Sequence, residues 1–321
     1  MQNPSDLPRL YLTYPKPLPG EFGIRRLFHI LGALILFPFY WGVAYATRTP
    51  GLAFRRLCAL MGIRIIFNYK WCDFRRAYNL IVSPMDSVRY FEFDFMWHSV
   101  RNVKIRSYLD VSSPRLFPLM VVDHTPSLVA DLINPDKKDL AMTISWAESI
   151  GIADRCRFHA DLIETVALEP SSFDVITCIS VIEHIPDDKR AIQKLWDLVR
   201  PGGMLLISVP CAGKASEEYI NLNEYELIDA DESGFVFWQR YYDEDLIQRR
   251  IFSITGQPRR FQIYGEKQAN SYHNNATQKR TNQFYPYWRE PLMMGLQYEF
   301  KHRFSELPGM GVIAMEFVKP T

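Results

Sequence analysis

The chain has 321 residues, 48% of them hydrophobic and 23% charged, and its 37 Lys and Arg against 36 Asp and Glu leave a net charge of +1. That length, with a soft prior of about two domains, buries a sizeable core, and the composition excludes wholesale disorder and fibrous classes. The near-balance of charge excludes a nucleic-acid binder working through a general basic field. Five cysteines (Cys58, Cys72, Cys156, Cys178, Cys211) are scattered without a C-x-x-C pair. They suggest neither a disulfide framework nor a thiolate zinc site, and a reducing, cytoplasmic setting fits.

Residues 1–20 are Pro-rich (Pro4, Pro8, Pro15, Pro17, Pro19) and read as an extended arm. From Leu27 to Ala46 (LFHILGALILFPFYWGVAYA) twenty residues pass without Lys, Arg, Asp or Glu, between Arg25-Arg26 and Arg48. As a helix this run measures roughly 30 Å, the thickness of a bilayer core. Phe39, Tyr40, Trp41 and Tyr45 crowd one end, as in an interfacial aromatic belt, and Pro38 is a kink point. Positive charge continues beyond it at Arg55, Arg56, Arg64 and Lys70, so the flanks set no orientation. Three readings stay open: a membrane-associated or inserted anchor, a buried helical hairpin packed on the following domain or a partner copy, and a cleaved leader with an over-long n-region.

Beyond about residue 79 short β-rich runs alternate with helical stretches, the pattern of a parallel, doubly wound sheet. Val88–Arg101 reads as a helix and Lys104–Val111 as a strand carrying Asp110 near its end. Leu128–Ile133 is a second strand, Lys138–Ile150 a helix, and Arg157–Ala160 a third strand ending at Asp161. Phe173–Ser180 (FDVITCIS) is nearly continuous in apolar residues, as a strand covered on both faces must be. Asp187–Val199 is amphipathic and stops at Arg200-Pro201-Gly202-Gly203, before a fifth strand at Met204–Val209. Asp243–Ser253 reads as a helix capped by Asp243, Arg260–Tyr264 as a sixth strand, and Gly311–Lys319 as a seventh that closes the sheet antiparallel.

The segments FDVITCISVIEHIPD and LVRPGGMLLISVP place a strand, a Glu-His pair at its mouth, a helix, Pro-Gly-Gly and another strand in succession. In this the chain resembles the class I S-adenosylmethionine-dependent methyltransferases, in particular their small-molecule and lipid-type members, over roughly Ser107 to Pro210. The resemblance implies an α/β fold: a Rossmann-like, seven-stranded, mostly parallel sheet with helices on both faces. Here it would be preceded by the hydrophobic helical extension. The division expected is an extension over 1–78 and a methyltransferase domain over 79–321, with inserts at 211–242 and 266–308. Both inserts are rich in aromatic residues, and the second contains a polar loop (NSYHNNATQKRTNQ); they read as walls and a lid for an acceptor.

The cofactor the resemblance implies is S-adenosylmethionine, whose sulfonium, amino-acid tail, ribose and adenine each ask for a different partner. The family's acid-x-Gly-x-Gly-x-Gly turn is replaced by Asp110-Val-Ser112-Ser113-Pro114-Arg115-Leu116. Asp110 is expected near the cofactor's amino group, with Ser112 and Ser113 leaving room and offering hydroxyls. Asp131 or Asn134 would take the ribose, the family's acid position falling on Leu132. Asp161 and Leu162 would hold adenine, and Arg89, on the helix before the first strand, the carboxylate. Neighbouring Tyr90 would shield the sulfonium or else pack in the core. Ser180 follows the fourth strand, and His184, beside Glu183, is the expected general base. No metal is implied.

Two functions remain open at this level. One is methyl transfer to a small molecule or a lipid-linked or saccharide acceptor, at the cytoplasmic face of a membrane if 27–46 is an anchor. The other is a catalytically silent, methyltransferase-like binding or scaffolding protein. A dinucleotide oxidoreductase lacks its glycine-rich pyrophosphate turn here.

Overall fold

The computed structural model describes residues 7–16, 18, 23–67 and 73–321. Pro4, Pro17, Pro19, Lys70 and Cys72 lie outside the described residues. The arm contributes a short strand, β1 (Arg9–Leu12). The apolar run forms α1 (Ile24–Ala46), which begins three residues before the expected start and continues through Pro38. Within this chain it is largely uncovered: Ala33 and Ala44 are its buried residues, while large apolar side chains such as Ile35 and Phe39 are exposed. The chain turns at Gly51, in the left-handed region at φ +79° and so close to the Tyr90 carbonyl that a Cβ there would clash. It then enters α2 (Leu52–Phe67), α3 (Phe74–Val82) and α4 (Arg89–Val100).

The central run follows the expected order: β2 (Ser107–Val111), α5 (Leu116–His124), β3 (Val129–Ile133), α6 (Lys137–Ile150), β4 (Cys156–His159), β5 (Phe173–Ile179), α7 (Asp188–Leu198) and β6 (Val199–Ala212). Asp136 caps α6 by accepting from the Lys138 and Asp139 amides, worth about 1 kcal/mol. Arg200–Gly203 bulge out of the ladder, since Val199 pairs with Phe173 and Met204 with Val175.

Past the sheet's middle come β7 (Ser216–Ile220) and β8 (Val236–Tyr241), then α8 (Glu244–Ile247), a π turn over Gln248–Phe252, and α9 (Ser253–Thr255). The expected helix over 243–253 therefore exists with a wide turn inside it, and Asp243 caps it by accepting from the Leu246 amide. β9 (Arg260–Glu266), α10 (Ser271–Thr281), α11 (Glu290–Gln297), β10 (Tyr298–Lys301) and β11 (Met310–Val318) complete the chain.

Two expectations change. The polar stretch after Asn270 is not a loop but the helix α10, fastened by Lys279 to Asp86 (2.9 Å) and Glu290 (3.4 Å). The sheet has eight strands rather than seven, in the order β10-β9-β11-β6-β5-β2-β3-β4, because β10 pairs antiparallel with β9 at the edge. β11 lies antiparallel between β6 and β9, as expected of the closing strand. A separate three-stranded sheet, β1-β7-β8, sets the arm parallel to β7.

β2 leads to β3 and β4 on one side, while β5 and β6 lie on the other, so the strand order reverses between β2 and β5. Open α/β sheets form their ligand crevice beyond the strand ends at such a reversal. One sheet face packs on α2, α4 and α5 through Phe54, Phe93, Phe117 and Tyr108. The other packs on α7–α9 through Ile192, Leu195, Leu246 and Ile251.

Candidate functional site

A cleft of about 760 Å³ opens over the carboxyl ends of β2, β3 and β5. Its walls include Arg89, Ser112, Ser113, Asn134, Leu162, Ser180 and His184, seven of the expected residues brought together from six segments of the chain. Arg115 and Leu116 border the space without filling it.

The glycine-free turn works through serines. Ser112 takes the left-handed conformation at φ +50°, a region that favours glycine, with its amide donating to the Ile133 carbonyl at 2.8 Å. The Ser113 hydroxyl accepts from the Ile179 amide at 3.0 Å, tying the turn to the end of β5. Asp110 does not reach the cleft wall. Its carboxylate accepts from the Ser113 amide (3.1 Å) and the Thr177 hydroxyl (2.5 Å), and burial pushes its pKa up to about 6. It braces the turn from beneath, holding the backbone of Ser113 that borders the cleft.

Beyond β3 the expected pair separates. Asn134 stands in the wall and donates to Asp139 at 2.8 Å. Asp131 is absent from it: register places it against Arg157 on β4, and it is held by Arg157 (3.2 Å) and His159 (2.8 Å). Asp139, in the first turn of α6, is the carboxylate that reaches the cleft, where Arg115 pairs with it. After β4, Leu162 lines the cleft with Ile163 and Glu164, whereas Asp161 is exposed outside it.

The helix before β2 supplies Arg89, whose guanidinium lies 2.5 Å from Glu92. Glu92 is fully buried and accepts from the Ser180 (2.5 Å) and Ser208 (2.6 Å) hydroxyls, so three hydrogen bonds fix the carboxylate that holds Arg89. Tyr90, by contrast, is fully buried and forms no part of the wall.

At the mouth of β5, His184 Nδ1–H donates to the Trp238 carbonyl at 2.5 Å, which leaves the proton off Nε2. Burial lowers the His184 pKa to about 4, so the ring is neutral. Trp238 and Tyr225 stack at 5.2 Å, and both meet the imidazole edge-on. Glu183 turns inward and is not a wall residue; its Oε1 is 4.0 Å from His184 Nε2, and burial pushes its pKa up to about 8.

The wall residues Asp139 and Glu164, and the buried Glu92 behind Arg89, lay outside the sequence reading. Glu164 follows Asp161 by three residues, and only its spacing from the β4 end would have drawn attention to it. The aromatic inserts divide. Tyr225, Phe237 and Trp238 wall the main cleft, while Tyr285, Tyr287 and Trp288 line a second cavity of about 360 Å³.

Two buried polar atoms in the main cleft have no partner: Arg115 Nε and Glu164 Oε2. They are a donor suited to a carboxylate tail and an acceptor suited to an exocyclic amine, with the apolar Leu162 and Ile163 beside the latter. These residues fit S-adenosylmethionine.

The family described as methyltransferase domain matches residues 108–249. Ubiquinone biosynthesis O-methyltransferase of Paraburkholderia phymatum is 32% identical over 83 residues, 26% of this chain and 36% of that protein. The same-named protein of Coxiella burnetii is 41% identical over 70 residues, 22% of this chain and 28% of its own. The chain thus spans about a third of the length of the curated relatives it matches. The crystal structure of MccD protein aligns over 71% of this chain and 96% of its own, with 11% identity and a TM-score of 0.49. The strand order and the crevice at its reversal agree with the matched stretch, and residues 108–249 carry a methyltransferase domain.

Proposed function

We propose that the protein moves a methyl group from S-adenosylmethionine to a hydroxyl of a small molecule or of a lipid-linked or saccharide acceptor. The observation that carries this reading is His184: neutral, protonated on Nδ1 by its bond to the Trp238 carbonyl, and standing in the wall of an open cleft. The bound cofactor supplies an electrophilic methyl on a positive sulfonium. Arg115, Glu164, Asn134 and Leu162 would bind and orient it, with Arg89 adding positive charge to the same wall. An acceptor hydroxyl held against that methyl would form the new carbon–oxygen bond as the carbon–sulfur bond breaks, and His184 Nε2 would take the hydroxyl proton. Positioning between the Tyr225–Trp238 stack and Ser180 supplies most of the acceleration, as in-line displacement demands.

The relatives named for ubiquinone biosynthesis support a hydroxyl acceptor with a lipid tail, and the exposed apolar helix α1 supports a site on a membrane's cytoplasmic face. Calorimetric titration of the full chain with S-adenosylmethionine, followed by labelled-methyl transfer to lipid-tailed phenols, tests the reading. Saturable binding and a labelled product are expected. Absence of heat at millimolar cofactor overturns it in favour of the silent scaffold, a reading favoured by the engagement of Asp110 and Ser113 within the fold.

A further inference from the structure

Charge is distributed unevenly along this near-neutral chain. Residues 22–72 hold seven Lys and Arg and no Asp or Glu, so the other 30 cations face all 36 acids and the remainder stands at −6. The basic segment is the one that forms α1 and α2.

The two helices also expose apolar stripes. On α1, Ile24, Phe28, Ile35 and Phe39 are 71, 66, 76 and 65% exposed at helical spacing, while Ala33 and Ala44 on the opposite side are fully buried. On α2, Leu60, Ile63 and Phe67 continue outward from exposed Arg56 at four- and three-residue steps. An apolar stripe on a segment rich in arginine is the pattern of a helix lying at a lipid–water interface. With no acid in the segment, its charge complements anionic headgroups.

The attachment of α1 decides how it meets lipid. Near its start, Arg26 donates to the Gln283 carbonyl at 3.1 Å and His29 Nε2 to the Phe284 carbonyl at 3.0 Å. Near its end, the Arg55 guanidinium lies 4.4 Å over the Trp41 ring, and Thr49 donates to the Pro291 carbonyl at 3.0 Å. A helix that crossed a bilayer would abandon both sets of contacts; one lying in the interface keeps them and still removes its outer stripe from water.

We propose that α1 and α2 dock this protein in the plane of an anionic lipid surface, with the apolar stripes below the headgroups and the exposed Arg25, Arg48 and Arg56 among them. This deepens the membrane part of the reading above and is independent of methyl transfer. His29 also walls the second cavity, which shares Pro84, Arg115 and Leu116 with the main cleft, so the docking helix borders a cavity adjacent to the site.

Flotation of the full chain with vesicles of phosphatidylcholine alone, or with three parts in ten phosphatidylglycerol, tests the proposal. Binding to the anionic vesicles at least ten-fold tighter, weakened by 0.5 M salt and released by alkaline carbonate, is the expected result. Ile35→Asp with Phe39→Asp should abolish flotation, and Arg25→Gln with Arg56→Gln should weaken it several-fold. Unchanged melting temperature and cofactor titration in each variant would show the fold and the cleft intact. No flotation with anionic vesicles, equal binding to neutral ones, or resistance to carbonate overturns the proposal. So does a dimer that Ile35→Asp dissociates while vesicle binding is absent, since a second copy would then cover the stripe. Failure here with cofactor binding retained leaves the methyltransferase reading standing.

Discussion

His184 and Trp238 are joined by a short hydrogen bond from Nδ1–H to a main-chain carbonyl, 54 residues apart in sequence. Because the acceptor is backbone, no side-chain substitution at Trp238 removes it, and the tautomer is set by the strand itself. β8 thereby fixes which imidazole nitrogen holds a free electron pair.

His184→Gln should lower kcat by about 10²–10⁴ while leaving the dissociation constant for S-adenosylmethionine within about three-fold, measured by steady-state rates and calorimetry. In the unmodified enzyme the imidazole, with its pKa lowered to about 4, is already neutral above pH 5. The acid limb of kcat/KM should therefore fall below pH 5 rather than near 6.5. A limb centred near 6.5 would exclude this histidine as the base.

Glu183 keeps its proton up to about pH 8 in the fold, against 4.5 for an ordinary glutamate. The unfolded chain releases that proton first, so the native protein loses stability from this group as pH rises from 4.5 to 8. Glu183→Gln removes the penalty. Melting temperatures of variant and parent should coincide near pH 4.5, and the variant should lead by several degrees at pH 8, in roughly the proportion expected for a chain this size.

Ser112 occupies the left-handed region with a Cβ, at φ +50°. Ser112→Gly should keep cofactor affinity and hold or raise stability, whereas Ser112→Val should cost about 1–3 kcal/mol in denaturant melts. Equal stability of the two variants would contradict the strained-turn account.

The unpartnered Glu164 carboxylate oxygen should matter to binding alone. Glu164→Ala is expected to raise the dissociation constant for S-adenosylmethionine about ten-fold or more, from the loss of one charge-assisted hydrogen bond. Loss of kcat at saturating cofactor without that rise would place Glu164 elsewhere in the reaction.

The core of the sheet was legible because its strands declare themselves locally. Phe173–Ile179 is buried at every residue, and the Pro-Gly-Gly turn marks the entrance to β6. β10 was not, since Tyr298–Lys301 is an edge strand of only four residues in which Tyr298 alone is buried. Helix α10 escaped notice because its stability comes from Lys279 meeting Asp86 and Glu290, partners far apart along the chain. In the site, residue types at strand ends were readable but the direction of their side chains was not. Asp131 sits in the middle of β3, two residues short of the strand end, where register sets it beside Arg157 and within reach of His159 on β4. The pairing of Arg115 with Asp139 needed β2 and β3 to be neighbours first.

The fastening of α1 to residues 283–291 has a bearing on synthesis. The helix leaves the ribosome when its partners, some 240 residues downstream, have not yet been made. At about 5–20 residues per second the gap lasts roughly 10–50 s. For that interval a nascent apolar helix has no protein surface to cover it, and whatever shelters it then, a bilayer or a chaperone, meets this polypeptide before its eight-stranded sheet can close.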